Sequence, residues 1–328
     1  LAVGAGMQIT QTAGLALASD ISPEDKRPRV VALMYAMQLL GLILGSAALS
    51  YLLSDFSPKK LIQVVQGCAV MTVALNLVSL WKQEARSERR GQREPDGFSH
   101  QWRQLMALPR MRRFLWTVGL GTAAFSMQDI VLEPYGAQVL GLDVSLTSAL
   151  TALTSAGALL AFAMSARLLS RGMDACRLAA LGAVIGLPAF ACVIFSAPLQ
   201  AAWLFQTGAT LIGVGGGFFG VGMLLTAMAL TDQFHAGMVL GAWGAVQATA
   251  SGLAMALGGV VRDLMGHLAE QGWLGEALVS PVTGYSMVFH LEMYMLFGVL
   301  IALGPLVSRR RLDRLANDHR IGLAELPG

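Results

Sequence analysis

Two segments of this chain repeat one design. Residues 15–45 read "LALASDISPEDKRPRVVALMYAMQLLGLILG", and residues 226–259 read "TAMALTDQFHAGMVLGAWGAVQATASGLAMALGG". Each begins as an apolar helix pattern that ends in an acid, Asp20 or Asp232. A short loop follows, then an aromatic residue, an Ala-x-Gln element (Ala36–Gln38 and Ala245–Gln247) and glycines. Internal repeats of this kind are the signature of many transporter folds. The first copy joins the first and second apolar spans; the second joins the seventh and eighth. If the copies correspond, spans one to three match spans seven to nine. The second half then holds six spans, and the first half lacks its own first three.

Composition supports a chain that lives in lipid. Of 328 residues, 55% are hydrophobic and only 13% are charged, with a mean hydropathy of +0.60. A soluble domain carries about 25% charged residues, so this chain cannot cover a water-facing surface. Nine apolar spans are predicted: 1–19, 29–53, 59–81, 112–140, 145–168, 175–197, 201–231, 236–261 and 284–307. Each is near or above the roughly 20 residues needed to cross a bilayer. The fold class is therefore an all-α polytopic membrane protein. Four regions are expected: a partial N-terminal bundle of three spans (1–81), a cytoplasmic loop between the halves (82–111), a six-helix C-terminal bundle (112–308) and a cytoplasmic tail (309–328).

Charge fixes the orientation. Of the 23 Lys and Arg residues, only Lys59, Lys60 and Arg262 fall on one side of the spans. The others fill the 20–29 loop, the 82–113 segment, the 166–177 loop and the tail. Basic loops stay cytoplasmic, so the C-terminus is cytoplasmic and the start of the chain is not. The basic 82–113 segment reads as an anchor against anionic lipid rather than a nucleic-acid arm. The chain opens with an apolar run and no charged leader, which reads as the start of a fragment and not as a signal peptide. Cys68, Cys176 and Cys192 are isolated and form no metal or disulfide framework. The run "GVGGGFFGVG" lacks the Lys-Ser/Thr ending of a phosphate loop and is read as tight helix packing.

Within the fourth span, "FSMQDIVLEPYGAQVLGL" (125–142) carries Asp129 and Glu133 one helical turn apart, with Pro134 next. Asp129 lies roughly 24 Å from Arg113 along a helix, in the non-cytoplasmic half of the bilayer. The i,i+4 spacing predicts one shared face. An ionised acid at that depth is costly, so this face is expected to turn inward. Pro134 is expected to bend the helix near Ile130. Tyr285, His290, Glu292 and Tyr294 in the last span, and Arg262 with Asp263 in the eighth, fall at similar depth. His290 and Glu292 are two residues apart and point to different faces. Three roles stay open for the cluster of Gln128, Asp129, Glu133, Tyr135, His290, Glu292 and Arg262. The charged members can pair and hold the outer end of the bundle shut. They can contact a pigment or substrate. They can couple to protons. The glutamines in spans (Gln8, Gln11, Gln38, Gln128, Gln138, Gln206, Gln247) are read as interhelical hydrogen-bonding groups.

The link "ISPEDKRPRVVALMYAMQLLGLILG", with Pro23, Arg27, Gly41 and Gly45, resembles the cytoplasmic link between the fourth and fifth helices of the major facilitator superfamily. "ARLLSRGMDACR" resembles a worn copy of that superfamily's loop signature D-R-x-G-R-R. Arg171, Gly172 and Arg177 match, but Ser170 stands where an acid is expected. The stretches "QDIVLEPYGAQVLGL", "LTALTSAGALLAF" and "GAWGAVQATASGLAMALGGVVRD" resemble the PucC-like light-harvesting complex assembly proteins of purple phototrophic bacteria. These are the bacteriochlorophyll-delivery branch of the same superfamily. The most specific part is Gln128, Asp129, Leu132, Glu133, Pro134, Tyr135 and Gly136. The resemblance implies an assembly factor in the photosynthetic intracytoplasmic part of the inner membrane, with antenna polypeptides as partners. Pigment-synthesis and membrane-insertion machinery are further implied partners. It also implies bacteriochlorophyll as a held or transferred pigment, with His290 or a carboxylate as a ligand to its magnesium. The alternative from the buried acids is a proton-coupled transporter of a small solute. No nucleophile–base pair, metal-ligand cluster or cofactor fingerprint points to an enzyme.

Overall fold

Only a helix satisfies its own backbone in lipid without a closed barrel, so long runs of Ala, Leu and Gly become helices until a proline or polar turn stops them. The computed structural model describes residues 6, 10, 14, 17, 27–53, 57–80, 98–230 and 236–318, and all its regular structure is helical. Helix α1 spans Arg27–Leu52, α2 Pro58–Leu80, α3 Phe98–Ala107 and α4 Pro109–Ser126. A 3-10 turn, Met127–Ile130, leads into α5, Leu132–Leu140. Then come α6 (Val144–Ser170), α7 (Ala175–Leu199), α8 (Ala202–Leu230), α9 (Ala236–Glu270) and α10 (Val282–Asp318).

Seven of these helices are long and apolar enough to cross a membrane, and the α4–α5 pair, bent by 42°, makes an eighth if it is one span. The predicted first span falls almost wholly outside the described residues, as do Gln8, Gln11, Asp20, Pro23 and Asp232. Within the 82–111 segment, expected as a loop, residues 98–107 form α3, and its Leu105 is buried.

The helix ends follow local chemistry. Leu108 is extended and Pro109 opens α4, where a missing N–H costs nothing. Asp174 accepts the Cys176 N–H at 2.8 Å and caps α7, satisfying a donor that the helix cannot. Gly141, at φ +64°, ends α5 in the left-handed conformation that glycine adopts without strain.

The packed centre belongs to residues after 98. Helix α8 packs along α6 and α7, while α10 packs against α4, α7 and α9. The glycine run permits this: a Cβ on Gly213 would strike the Thr154 carbonyl oxygen of α6, and one on Gly182 would strike that of Gly215. Backbones this close gain dispersion contacts that lipid cannot replace. Phe114, Phe190, Phe205, Phe218 and Phe289 are fully buried between these helices. Helix α1 packs on α6. No described side chain of α2 is buried.

Candidate functional site

The fourth predicted span is broken at the acids by two side chains. Gln128 donates its Nε2 to the Phe125 carbonyl at 2.8 Å, the oxygen that a continuous helix would give to the N–H of Asp129. Its own backbone N–H leaves the helix ladder and donates to Glu292 Oε1 of α10 at 2.6 Å. The chain tightens into the 3-10 turn Met127–Ile130 and resumes as α5. The 42° bend falls between Ile130 and Leu132, where Pro134 is expected to make one: it has no N–H to give to the Ile130 carbonyl, and its ring crowds that oxygen.

This geometry corrects the expectation of one shared acidic face. Ideal helical register does not run through the turn, and both Asp129 and Glu133 are exposed. Asp129 Oδ1 accepts from Gln128 Nε2 at 2.9 Å. Glu133, in the first turn of α5, accepts from the Thr151 hydroxyl of α6 at 2.9 Å. The buried acid is instead Glu292, with no exposed surface. Its Oε2 and the Oε1 of Gln128 are buried and have no hydrogen-bond partner among the described residues.

The predicted cluster therefore divides into separate groups. Where α5, α9 and α10 meet, Arg262 Nη2 donates to Gln138 Oε1 at 3.0 Å and to the Tyr285 hydroxyl at 2.7 Å. The Tyr285 hydroxyl donates to Gln138 Oε1 at 2.7 Å. Arg262 Nη1 meets Asp263 at 2.6 Å, and the guanidinium carbon lies 4.7 Å from the Tyr285 ring centre. This clasp ties α5, α9 and α10 together, without Asp129, Glu133 or His290. Tyr135 belongs to the core: its hydroxyl donates to the Val193 carbonyl at 3.0 Å, and its ring meets those of Phe205, Tyr285 and Phe289 at 5.3–5.5 Å.

His290 stands apart. Its Nδ1 lies 2.7 Å from the Ser286 carbonyl oxygen. A carbonyl only accepts, so Nδ1 carries the hydrogen and the neutral ring keeps its lone pair on Nε2. His290 is half-buried, while Glu292 faces the core, as the two-residue spacing predicts. Met287, Tyr294, Phe297 and Ile301 share the His290 side of α10 at intervals of three and four residues, and all four are exposed. The helix thus carries an exposed apolar stripe with the half-buried His290 ring in it. Among the described residues no group of three His, Cys, Asp or Glu side chains could hold a metal ion.

The family model described as "PUCC protein" matches residues 1–311. The chain belongs to this family. Among PucC relatives, it is 46% identical to "Protein PucC" of Rhodovulum sulfidophilum over 80% of this chain and 59% of that one. It is 48% identical to an "Uncharacterized protein in puhA-bchM intergenic region" of Rhodobacter capsulatus, over 100% of this chain and 70% of that one. The chain thus spans about three fifths to seven tenths of the length of these relatives. A solved structure titled as a bacterial homolog to the human lysosomal transporter Spinster, inward-facing and occupied, is 18% identical, with a TM-score of 0.47, over 90% of this chain and 73% of that one.

The segment that carried the PucC resemblance, Gln128 to Gly136, spans the 3-10 turn and the opening of α5. Sequence reasoning missed the Gln128–Glu292 bond, which joins residues 164 positions apart. It also missed a small cleft between α4, α8 and α9, whose wall includes Thr122, Ser126, Trp243 and Gln247. Trp243 and Gln247 carried a sequence signal, as the aromatic residue and the glutamine of the repeated element.

Proposed function

We propose that this chain is part of an assembly factor for bacterial light-harvesting antenna complexes, which holds bacteriochlorophyll and hands it to antenna polypeptides in the photosynthetic inner membrane. Membership of the PUCC family supports the setting. The observation that carries the reading is His290. Magnesium in a tetrapyrrole accepts an axial nitrogen or oxygen donor, and its ring needs an apolar surface to lie on. His290 fits both needs. Its Nε2 lone pair is available because Nδ1 is engaged by Ser286, a fixed tautomer of the kind that metal-ligating histidines share. Met287, Tyr294 and Phe297, all exposed, supply apolar area on either side.

In this reading the pigment is cargo and no reaction is catalysed. His290 orients the ring and the stripe excludes water from one of its faces. The antenna helices approach the same lipid-facing side of α10 and take the pigment from it. The basic cytoplasmic segments hold the protein against anionic lipid. The test is purification of the full-length protein, tagged, from a phototroph. The expected preparation shows bacteriochlorophyll absorbance and carries antenna polypeptides. A preparation with neither contradicts the proposal.

A further inference from the structure

The cleft between α4, α8 and α9 encloses about 220 Å³. One of its walls is Trp243, only 4% exposed, whose indole Nε1 is buried and finds no partner among the described residues. An indole nitrogen only donates, and a buried donor left without an acceptor costs on the order of 1–3 kcal/mol. The missing group is therefore an acceptor. Thr122, Ser126 and Gln247 add hydroxyl and amide groups to the same wall, and among the described residues no charged side chain lines the cleft. A carboxylate or phosphate would find no counter-charge there, whereas a neutral carbonyl oxygen would find several donors. Phe125 and Phe219, with ring centres 5.9 Å apart, form an aromatic side. At Gly220 a Cβ would meet nothing within 4 Å, so the α8 wall is open.

Size and depth narrow the ligand. Ligand pockets usually run from about 300 to 1,000 Å³, so this cleft takes one edge of a molecule. Ser126 lies roughly 20 Å from Arg113 along the helix, within the hydrocarbon, so the ligand arrives through lipid. We propose that this cleft binds the carbonyl-bearing edge of an uncharged, lipid-soluble ring, with the Trp243 N–H donating to the carbonyl oxygen. Two sources share that chemistry: a pigment macrocycle with ring carbonyls and a membrane quinone. The pigment version rests on the function proposed above.

The test uses the full-length protein in nanodiscs, loaded with bacteriochlorophyll a in one arm and ubiquinone in the other. Carbonyl stretching bands are read by resonance Raman and infrared difference spectroscopy respectively. In the wild type, one carbonyl band of the accepted probe lies below its free frequency. Trp243→Phe returns that band to the free frequency and weakens binding about three- to tenfold, the worth of one hydrogen bond. Trp243→Tyr keeps a donor and restores part of the shift. Gly220→Leu fills the cleft and lowers occupancy with no new charge, while unchanged gel-filtration behaviour reports an intact fold. A band shift with quinone alone supports the cleft and removes the pigment from it. Pigment bound with a carbonyl band that ignores Trp243→Phe overturns the cleft but leaves the function proposal standing. Failure of both probes to bind overturns both.

Discussion

Glu292 Oε1 accepts the backbone N–H of Gln128 at 2.6 Å, so a side chain of α10 holds open the break between α4 and α5. The bond has a one-sided requirement, since the partner only needs an acceptor. Glu292→Gln keeps an oxygen there and is expected to leave stability close to wild type. Glu292→Leu strands the Gln128 N–H in a buried site and is expected to cost about 1–3 kcal/mol. Thermal unfolding of the detergent-solubilised protein checks the difference. Equal melting temperatures for the two variants would remove the bond from any structural role.

The glycine run should answer unevenly to alanine. A Cβ at Gly213 meets the backbone of Thr154, which cannot move without shifting α6, whereas one at Gly220 meets nothing within 4 Å. Gly213→Ala is expected to destabilise by about 1–3 kcal/mol, as overpacking does. Gly220→Ala is expected to be neutral in stability, aided by a small gain in helix propensity. The same unfolding assay reads both, and a stable Gly213→Ala would show that α6 and α8 do not approach as described.

Arg262 bridges Gln138, Tyr285 and Asp263 with a forked group. A lysine cannot hold all three. Because the Arg262 side chain is 32% exposed, its loss is expected to be modest, about 1 kcal/mol or less. A double-mutant cycle of Arg262→Gln with Gln138→Leu should give a coupling of similar size. Strict additivity of the two changes would contradict the clasp.

Tyr135 lends itself to a smaller test. Its hydroxyl donates to the Val193 carbonyl inside a ring of aromatic contacts. Tyr135→Phe keeps the rings packed and loses that bond and the hydroxyl's 3.3 Å contact with Ser196 Oγ, at an expected cost of about 0.5–1.5 kcal/mol. Tyr135→Ala opens a cavity as well and should cost about 3–5 kcal/mol.

What the sequence could convey depended on whether the signal was periodic or local. Hydropathy located α6 and α7 within two residues at each end, because a membrane span is a long run with sharp polar ends. The glycine run read correctly as close packing, since small residues in lipid have few other uses. The two-residue spacing of His290 and Glu292 separated their faces, as the structure has it. The break at Gln128 was not legible, because it depends on a hydrogen bond from another helix. With that break the i,i+4 argument for Asp129 and Glu133 lost its premise, and both acids lie exposed. Pro134 did mark the bend, which falls between Ile130 and Leu132, one turn before it. The Trp243 cleft was invisible for a similar reason: its walls come from three helices, and the repeat that marks Trp243 and Gln247 says nothing of what they face.

The central claim is that His290 holds pigment through its free Nε2. The direct measurement is the bacteriochlorophyll-to-protein ratio of the full-length protein purified from a phototroph, compared for wild type, His290→Leu and Ser286→Ala. Bound pigment is expected in the wild type, and most of it should be lost in His290→Leu. Ser286→Ala should keep it, because the backbone carbonyl that fixes the tautomer remains. Equal pigment in wild type and His290→Leu would show that His290 does not hold it.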